Sequence, residues 1–205
     1  GVIIFPGGVG TAEELLYLLG VLAAPDNREE PMPVVLTGPR ESADYFMSLD
    51  GFIRSVFGKE SAARYRIVLD DAHAVAQAMV SAIPTVFKRR HQCEGVSHFN
   101  WDFDIGKEYQ EPFVATHAAM SELGLSRDLA PRELAQNLRR VFSGLVAGNV
   151  KEDGIAAIER EGPFKIRGER EIMLALDAVL MSFIEGKRMR LAGGDYRPCY
   201  EIVPF

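Results

Sequence analysis

The first 83 residues alternate short apolar runs with stretches in which apolar residues recur at helical spacing. The apolar runs at 2–5 and 32–38 predict strands buried on both faces, as in a parallel sheet, and 65–71 predicts a third strand. The helical spacing predicts a helix after each strand, over 12–23, 42–57 and 72–82. The repeated strand–helix order predicts an α/β fold with right-handed crossovers.

Local signals mark the ends of these helices. Pro25 is expected to end the first helix, and Gly58 is a natural stop for the second. Asp70 or Asp71 can cap the third helix with a side-chain oxygen. The three helices therefore have signals in the sequence besides their apolar spacing.

The pattern changes at Pro84. From 85 to about 130 the chain is irregular and polar, apart from the alternating stretch "HFNWDFDI", in which Phe99, Trp101 and Phe103 would share one face of a strand. Two further helices are predicted over 131–147 and 168–186, and the last ten residues are predicted to be extended. We therefore expect a first region, 1–84, and a mostly helical α+β second region, 85–205.

The net charge, the length of the apolar runs and the cysteine content limit the kinds of partner and location that are expected. The 205 residues carry a net charge of −6, which argues against a non-specific binder of nucleic acid or of an anionic membrane. No apolar run approaches the roughly 18 residues that a membrane span needs. The two cysteines, Cys93 and Cys199, form no disulfide framework, which favours a cytosolic location. Cys93 and His98 lack a second ligand pair, so no metal is expected.

The stretch "FPGGVGTAEE" joins the first strand to the first helix and holds Gly7, Gly8 and Gly10. Glycines at such a turn let backbone N–H groups approach an anion at the positive end of the helix dipole. The stretch has neither the lysine of a P-loop nor the third glycine of a dinucleotide-binding turn. It therefore predicts an anion site of another kind at the carboxyl end of a strand.

Glu14, which follows this turn, has two interpretations. If Thr11 is the N-cap of the helix, Glu14 stands at the third helical position, and the two residues form a capping box. The same carboxylate could also face the sugar attached to a bound phosphate. The two roles are compatible, and the spacing alone leaves both open.

The segment "PGGVGTAEE" fits the PGGxGTxxE motif of the Lonely Guy (LOG) family, once labelled lysine-decarboxylase-like. Its members are phosphoribohydrolases, which cut the N-glycosidic bond of a nucleoside monophosphate and release the base and ribose 5-phosphate. The segments "LTGPRESADYF", "FSGLVAGNVKE" and "PCYEI" resemble the long bacterial nucleosidases of this family, which carry extra domains on both sides of the LOG core. The resemblance covers essentially the whole chain.

The resemblance implies roles for five residues of the turn. Gly7, Gly8, Gly10 and Thr11 would form the phosphate cradle, and Glu14 would be the catalytic carboxylate. Residues 1–84 would be the C-terminal half of a Rossmann-like parallel sheet, the LOG core. The resemblance supplies no lysine for pyridoxal phosphate, and neither a cofactor nor a metal is expected.

The resemblance also implies partners and a larger protein. The substrate would be a nucleoside monophosphate and the regulator an alarmone, (p)ppGpp. Apart from the resemblance, the apolar helices suggest that other surface covers them, and a homo-oligomer is expected. The family uses a further glycine-rich turn and an arginine upstream of the motif. Because the chain starts at the motif's own strand and without Met, we expect it to be the C-terminal part of a longer protein.

Other functions remain open from the sequence. The alternative is a non-catalytic module that binds a nucleotide or an alarmone through the same turn, and a third is a structural or oligomerising fragment. The basic run Lys88-Arg89-Arg90-His91 is interpreted as a solvated linker, with a phosphate or regulatory nucleotide site as the alternative. Arg139 and Arg140 are interpreted as surface charges or as contacts to a neighbouring subunit or substrate.

Overall fold

The computed structural model describes residues 1–92, 103–189 and 198–203. The first region contains strands β1 (Val2–Ile4), β2 (Val34–Gly38) and β3 (Arg66–Leu69) and helices α1 (Val9–Leu22) and α2 (Ala43–Ala62), and helix α3 (Ala72–Gln92) begins in it and continues past residue 84. The second region contains helices α4 (Lys107–Gln110), α5 (His117–Ser121), α6 (Pro131–Val150), α7 (Glu152–Glu161) and α8 (Arg170–Glu185) and strands β4 (Gly124–Leu125), β5 (Phe164–Gly168) and β6 (Tyr200–Val203).

Strands β1, β2 and β3 form a parallel sheet in that order. Val2 lies opposite Val34 in the register of β1 and β2, and Val35 lies opposite Arg66 in that of β2 and β3. The predicted α/β class, with a Rossmann-like parallel sheet, is confirmed. Its carboxyl edge is where the glycine turn leaves β1 and enters α1.

The prediction that β1 is buried on both faces is wrong. Ile3 is 42% exposed and Phe5, just beyond the strand, is 65% exposed. Among the described residues β1 stands at the edge of the three-stranded order and pairs only with β2. Strand β2, which has a neighbour on each side, is buried from Val34 to Thr37 as its apolar run predicts.

The predicted helix ends agree with the structure at three places. Helix α1 ends at Leu22, and Pro25 begins a short 3₁₀ turn. Within α2 the helical backbone is interrupted at Gly58, whose φ of 81° favours glycine. Asp71 caps α3, because its Oδ1 accepts the N–H of Ala74 at 2.8 Å.

The predicted end of α3 is wrong, because the helix continues through Pro84 to Gln92. A proline has no N–H, so the carbonyl of Val80 loses its helical partner. Val80 is 62% exposed, and water can bind that carbonyl instead. The basic run therefore lies on the last turns of α3 rather than in a linker, and Arg89 donates to Glu30 at 2.7 Å.

The second region contains a second parallel sheet, in the order β4, β5, β6, which was not predicted. Along β5, buried residues such as Phe164 and Ile166 alternate with exposed residues such as Lys165 and Arg167. Helix α7 was also not predicted, and the segment expected to be irregular contains α4, α5 and β4. Phe99 and Trp101 of "HFNWDFDI" lie outside the described residues.

One hydrophobic core spans both regions. Helix α6 packs along α1, and α8 packs along α2. The rings of Phe52 and Phe142 meet edge to face with centroids 5.9 Å apart, and the hydroxyls of Ser48 and Ser182 lie 2.7 Å apart. Residues of the second region therefore pack onto the helices of the first sheet instead of forming a separate core.

Among the helices of the described ranges, none combines the length and the apolar character that crossing a membrane requires.

Candidate active site

Helix α1 begins earlier than its sequence predicts. Its N-cap is Gly8, which makes no side-chain hydrogen bond, and Thr11 already lies inside the first helical turn. The prediction that Thr11 is the N-cap is therefore wrong. Glu14 stands beyond the third helical position, and the capping box with Thr11 does not form.

Close packing explains two of the three glycines of the turn. A Cβ at Gly7 would overlap the Thr11 side chain, and a Cβ at Gly8 would overlap the carbonyl oxygen of Arg188. A Cβ at Gly10 would meet open space. None of the three is among the positive-φ glycines of the described ranges, so the first two are required by space and not by φ.

The start of α1 presents free hydrogen-bond donors. The N–H of Ala12 donates to the carbonyl of Gly8 at 3.2 Å and is the first to bond within the helix. Among the described residues, the N–H groups of Val9, Gly10 and Thr11 have no backbone acceptor. No acidic side chain lies in this first turn. These donors and the positive end of the helix dipole can bind an anion.

Glu14 lies on the same helix face as this donor group. Residues three and four apart share a face of an α-helix, which places Glu14 above Gly10 and Thr11. Its side chain is exposed, whereas Leu15 and Leu16 are fully buried. In the part of the chain that the structure describes, the Glu14 carboxylate takes part in no hydrogen bond or ion pair. Its position therefore leaves it free for a ligand at the turn.

Two further residues approach the turn that sequence reasoning missed. The Tyr45 hydroxyl donates to the carbonyl of Gly8 at 3.4 Å, and Nη1 of Arg188 donates to that of Gly7 at 3.4 Å. The Arg188 guanidinium stands over the Tyr45 ring, 4.9 Å from its centroid. Tyr45 lies in the quoted segment "LTGPRESADYF", but no local signal marks Arg188.

The electrostatics keep Tyr45 a proton donor. Burial raises the pKa of Tyr45 to about 12, with Glu14 adding to the shift and Arg188 opposing it. The phenol is therefore protonated at neutral pH. The turn thus carries backbone N–H groups, one phenol and one guanidinium, with a carboxylate one helical turn away.

A cavity of about 440 Å³ opens at the same carboxyl edge of the first sheet. Its lining includes Ile3 of β1, Phe5 just beyond it, Thr37 of β2, Asp70 just after β3 and Val75 of α3. Open α/β sheets bind ligands at this edge. The residues that line this cavity do not include those of the glycine turn, so the cavity and the turn are separate features of this edge.

Other candidates from the sequence do not belong to this site. Arg139 stacks on the Tyr17 ring and Arg140 on the Phe113 ring, at 5.4 and 5.6 Å from the ring centroids. Cys199 is buried with a free thiol, and burial raises the pKa of this thiol to about 11. Cys93 and His98 lie outside the described residues. In the described ranges no group of three or more potential metal ligands occurs.

The Glu13 carboxyl lies beside α6, where it interacts with Arg139 and Ser143. Burial raises the pKa of the Glu13 carboxyl, although Arg139, Ser143 and Lys151 favour the charged form. The raised pKa means that folding favours the protonated form. That stabilisation is fully present below the ordinary pKa of 4.5 and is lost as pH rises through the folded-state pKa.

The substitution Glu13→Gln is therefore expected to raise Tm slightly at pH 7, because it removes the half-buried charge and keeps a polar group beside Ser143. The gain should disappear at pH below 4.5, where wild type is protonated as well. Thermal unfolding at both pH values measures this. The matched control is Glu14→Gln, which should leave Tm unchanged, and a lower Tm for Glu13→Gln at pH 7 would contradict the expectation.

The fold and the site define a class: an α/β protein with a glycine turn and a free helix N-terminus at the carboxyl edge of its parallel sheet. A family model described as "Pyrimidine/purine nucleotide monophosphate nucleosidase, C-terminal" matches residues 83–203, and one described as "Possible lysine decarboxylase" matches residues 1–79. The chain belongs to the pyrimidine/purine nucleotide monophosphate nucleosidase family. The resemblance carried by "PGGVGTAEE" is confirmed.

Curated relatives agree with this assignment. Proteins named "Pyrimidine/purine nucleotide 5'-monophosphate nucleosidase" from three strains of Escherichia coli are each 50% identical to the chain over 202 residues. The aligned part is 98% of this chain and 44% of each relative. The chain therefore spans less than half the length of the curated relatives it matches.

Proposed function

We propose that the protein hydrolyses the N-glycosidic bond of purine and pyrimidine nucleoside 5′-monophosphates and releases the free base and ribose 5-phosphate. The observation that carries the proposal is the position of Glu14. It is exposed, lies on the face of α1 that carries Gly10 and Thr11, and has no structural partner in the described part of the chain. The name of the curated relatives supports the same reaction.

In this proposal the glycine turn binds the phosphate. The N–H groups of Val9, Gly10 and Thr11 point from the positive end of α1 and need an acceptor. A phosphate there would be held by several directed hydrogen bonds, and Gly7 and Gly8 keep the turn compact. Holding the phosphate fixes the ribose relative to Glu14 and so lowers the entropic part of the barrier.

Glu14 would act at the sugar. Breaking the bond between the base and the ribose builds positive charge on the ring, as in glycoside hydrolysis. A carboxylate close to that ring stabilises the charge, can accept hydrogen bonds from the ribose hydroxyls and can help activate water. The cavity at the carboxyl edge, lined by Ile3 and Phe5, offers apolar surface nearby.

The rest of the proposal concerns the whole protein. A homo-oligomer would cover apolar surface such as Phe5 on the β1 side and Ile83 and Phe87 on α3, which are 65%, 47% and 52% exposed.

We also propose (p)ppGpp as a regulator and a cytosolic location, the latter supported by the free thiol of Cys199. The division into 1–84 and 85–205 remains our proposal, supported by the ranges of the family matches.

The assay that tests the function uses the full-length protein and each common nucleoside monophosphate. Free base and reducing sugar are measured together, and equal amounts of both are expected for at least one substrate. Release of neither product from any of them would overturn the proposal. Nucleotide binding without release would favour the interpretation as a non-catalytic binding module. If no nucleotide binds, only the interpretation as a structural or oligomerising fragment is left. Repeating the assay with (p)ppGpp tests regulation.

A further inference from the structure

Arg188 is held firmly at the glycine turn by the way α8 ends. The N–H of Arg188 donates to the carbonyl of Phe183 at 2.7 Å, and the N–H of Lys187 donates to that of Ile184 at 2.9 Å. Lys187 takes the left-handed conformation with a φ of 53°. This pair of bonds is a Schellman motif, which satisfies the last carbonyls of a helix and fixes the residues that follow it.

The fixed backbone brings Arg188 into contact with both sides of the turn. Its carbonyl oxygen occupies the place where a Cβ of Gly8 would stand, and its Nη1 reaches the carbonyl of Gly7 at 3.4 Å. The Arg188 guanidinium stacks over the Tyr45 ring, 4.9 Å from the ring centroid. The Tyr45 ring in turn packs against Phe183, with centroids 5.1 Å apart. The Tyr45 ring therefore fixes the orientation of the Arg188 guanidinium beside the glycine turn.

The charge of Arg188 is not neutralised by the protein in the ranges that the structure describes. No carboxylate there lies within salt-bridge distance of Arg188, whereas Arg127 and Arg132 each pair with two. A guanidinium has five N–H donors, of which the long bond to Gly7 uses one. Arg188 is a half-buried cation with spare donors at Gly7, the residue before the N-cap of α1, whose first three N–H groups have no backbone acceptor. This arrangement favours an anionic ligand at the turn.

We propose that Arg188 is a phosphate-binding residue that donates directly to the phosphomonoester held at the glycine turn. The inference rests on the proposed function, since it names a further residue of the same site. It also assigns a role to the second region of the chain, because α8 delivers this arginine to a turn that belongs to the first region. The ligand class is a phosphomonoester dianion, which inorganic phosphate can represent as a probe.

The test compares substrates with and without the phosphate in the full-length protein. In Arg188→Gln, KM for a nucleoside 5′-monophosphate and the inhibition constant of inorganic phosphate should each rise about 10- to 100-fold. The value of kcat should change little, because a contact made equally in substrate and transition state acts on KM. Cleavage of the matching nucleoside, which has no phosphate, should be unaffected.

Two variants serve as controls. Arg167→Gln removes the same charge from an exposed position on β5 and should keep both constants at the wild-type value. Arg188→Lys keeps a positive charge over Tyr45 but loses the planar fork, so it should recover part of the phosphate affinity. If Arg188→Gln lowers Tm, Arg188→Lys carries the test, with a several-fold rise of the phosphate inhibition constant expected.

The outcomes separate this inference from the proposed function. If wild type cleaves nucleotides and Arg188→Gln keeps the wild-type KM and phosphate inhibition, the inference is overturned and the function stands. Equal losses with nucleotide and nucleoside would also overturn it, because they indicate support of Tyr45 only. If wild type releases no base, calorimetric titration with inorganic phosphate decides: weaker binding by Arg188→Gln supports the inference, and equal or absent binding overturns it.

Discussion

The substitution Glu14→Gln is expected to slow release of free base from nucleoside monophosphates by about 10²–10⁴-fold. The neutral amide keeps the shape of the side chain but removes the charge that would stabilise the ribosyl cation. Tm should stay at the wild-type value, because Glu14 is exposed and belongs to no cap of α1. Initial rates at saturating substrate and thermal unfolding of the full-length variant measure the two effects.

The comparison with Glu13→Gln makes this prediction specific. Both variants remove one carboxylate from the start of α1, but the Glu13 carboxyl lies beside Arg139 and Ser143 on α6. Glu13→Gln should therefore retain turnover close to wild type. Near-normal turnover of Glu14→Gln would show that its carboxylate is not the catalytic group, and a loss of turnover that follows a fall in Tm would indicate a structural role instead.

The first sheet and its helices could be predicted because their signals are local. The apolar run of β2, the stop at Gly58 and the cap at Asp71 each act within a few residues, and the structure has them as expected. The predicted N-cap failed for the opposite reason. Thr11 has the better capping side chain, but the N-cap of α1 is Gly8, whose missing Cβ leaves space for the carbonyl oxygen of Arg188.

The candidate site was predictable only in the part that lies on one stretch of chain. The glycine turn and Glu14 follow from a strand, a turn and a helix in sequence order. Tyr45 and Arg188 reach the same turn through packing of α2 and α8, which local spacing does not reveal. Such contacts depend on how helices stack, and one sequence carries little information about that.

The second region was predicted less well, although one signal was present. In β5 the residues Phe164-Lys165-Ile166-Arg167 alternate apolar and charged, and this alternation is typical of a half-buried strand. The proline that suggested a boundary at residue 84 misled the assignment of α3. A proline leaves one helix carbonyl without its partner, and in a buried helix water cannot replace that partner. In α3 the carbonyl belongs to Val80, which is exposed, so the helix continues past Pro84.

The substitution Phe142→Ala is expected to lower the free energy of unfolding by about 3–5 kcal/mol. Phe142 is fully buried on α6 and meets Phe52 of α2 edge to face at 5.9 Å, so its loss leaves a cavity where the two regions join. Because one core spans both regions, the effect should reach the first sheet. Denaturant unfolding gives the free energy, and hydrogen exchange by mass spectrometry should show faster exchange in α2 as well as α6.

Phe87→Ala is the matched control, since it removes the same atoms from a side chain on α3 that is 52% exposed. Phe87→Ala should lower the free energy of unfolding by about 1 kcal/mol or less, well below the effect of Phe142→Ala. Faster exchange confined to the second region in Phe142→Ala would contradict the shared core. It would mean that 85–205 unfolds by itself, and that the contact bringing Arg188 to the glycine turn can open while the first sheet stays folded.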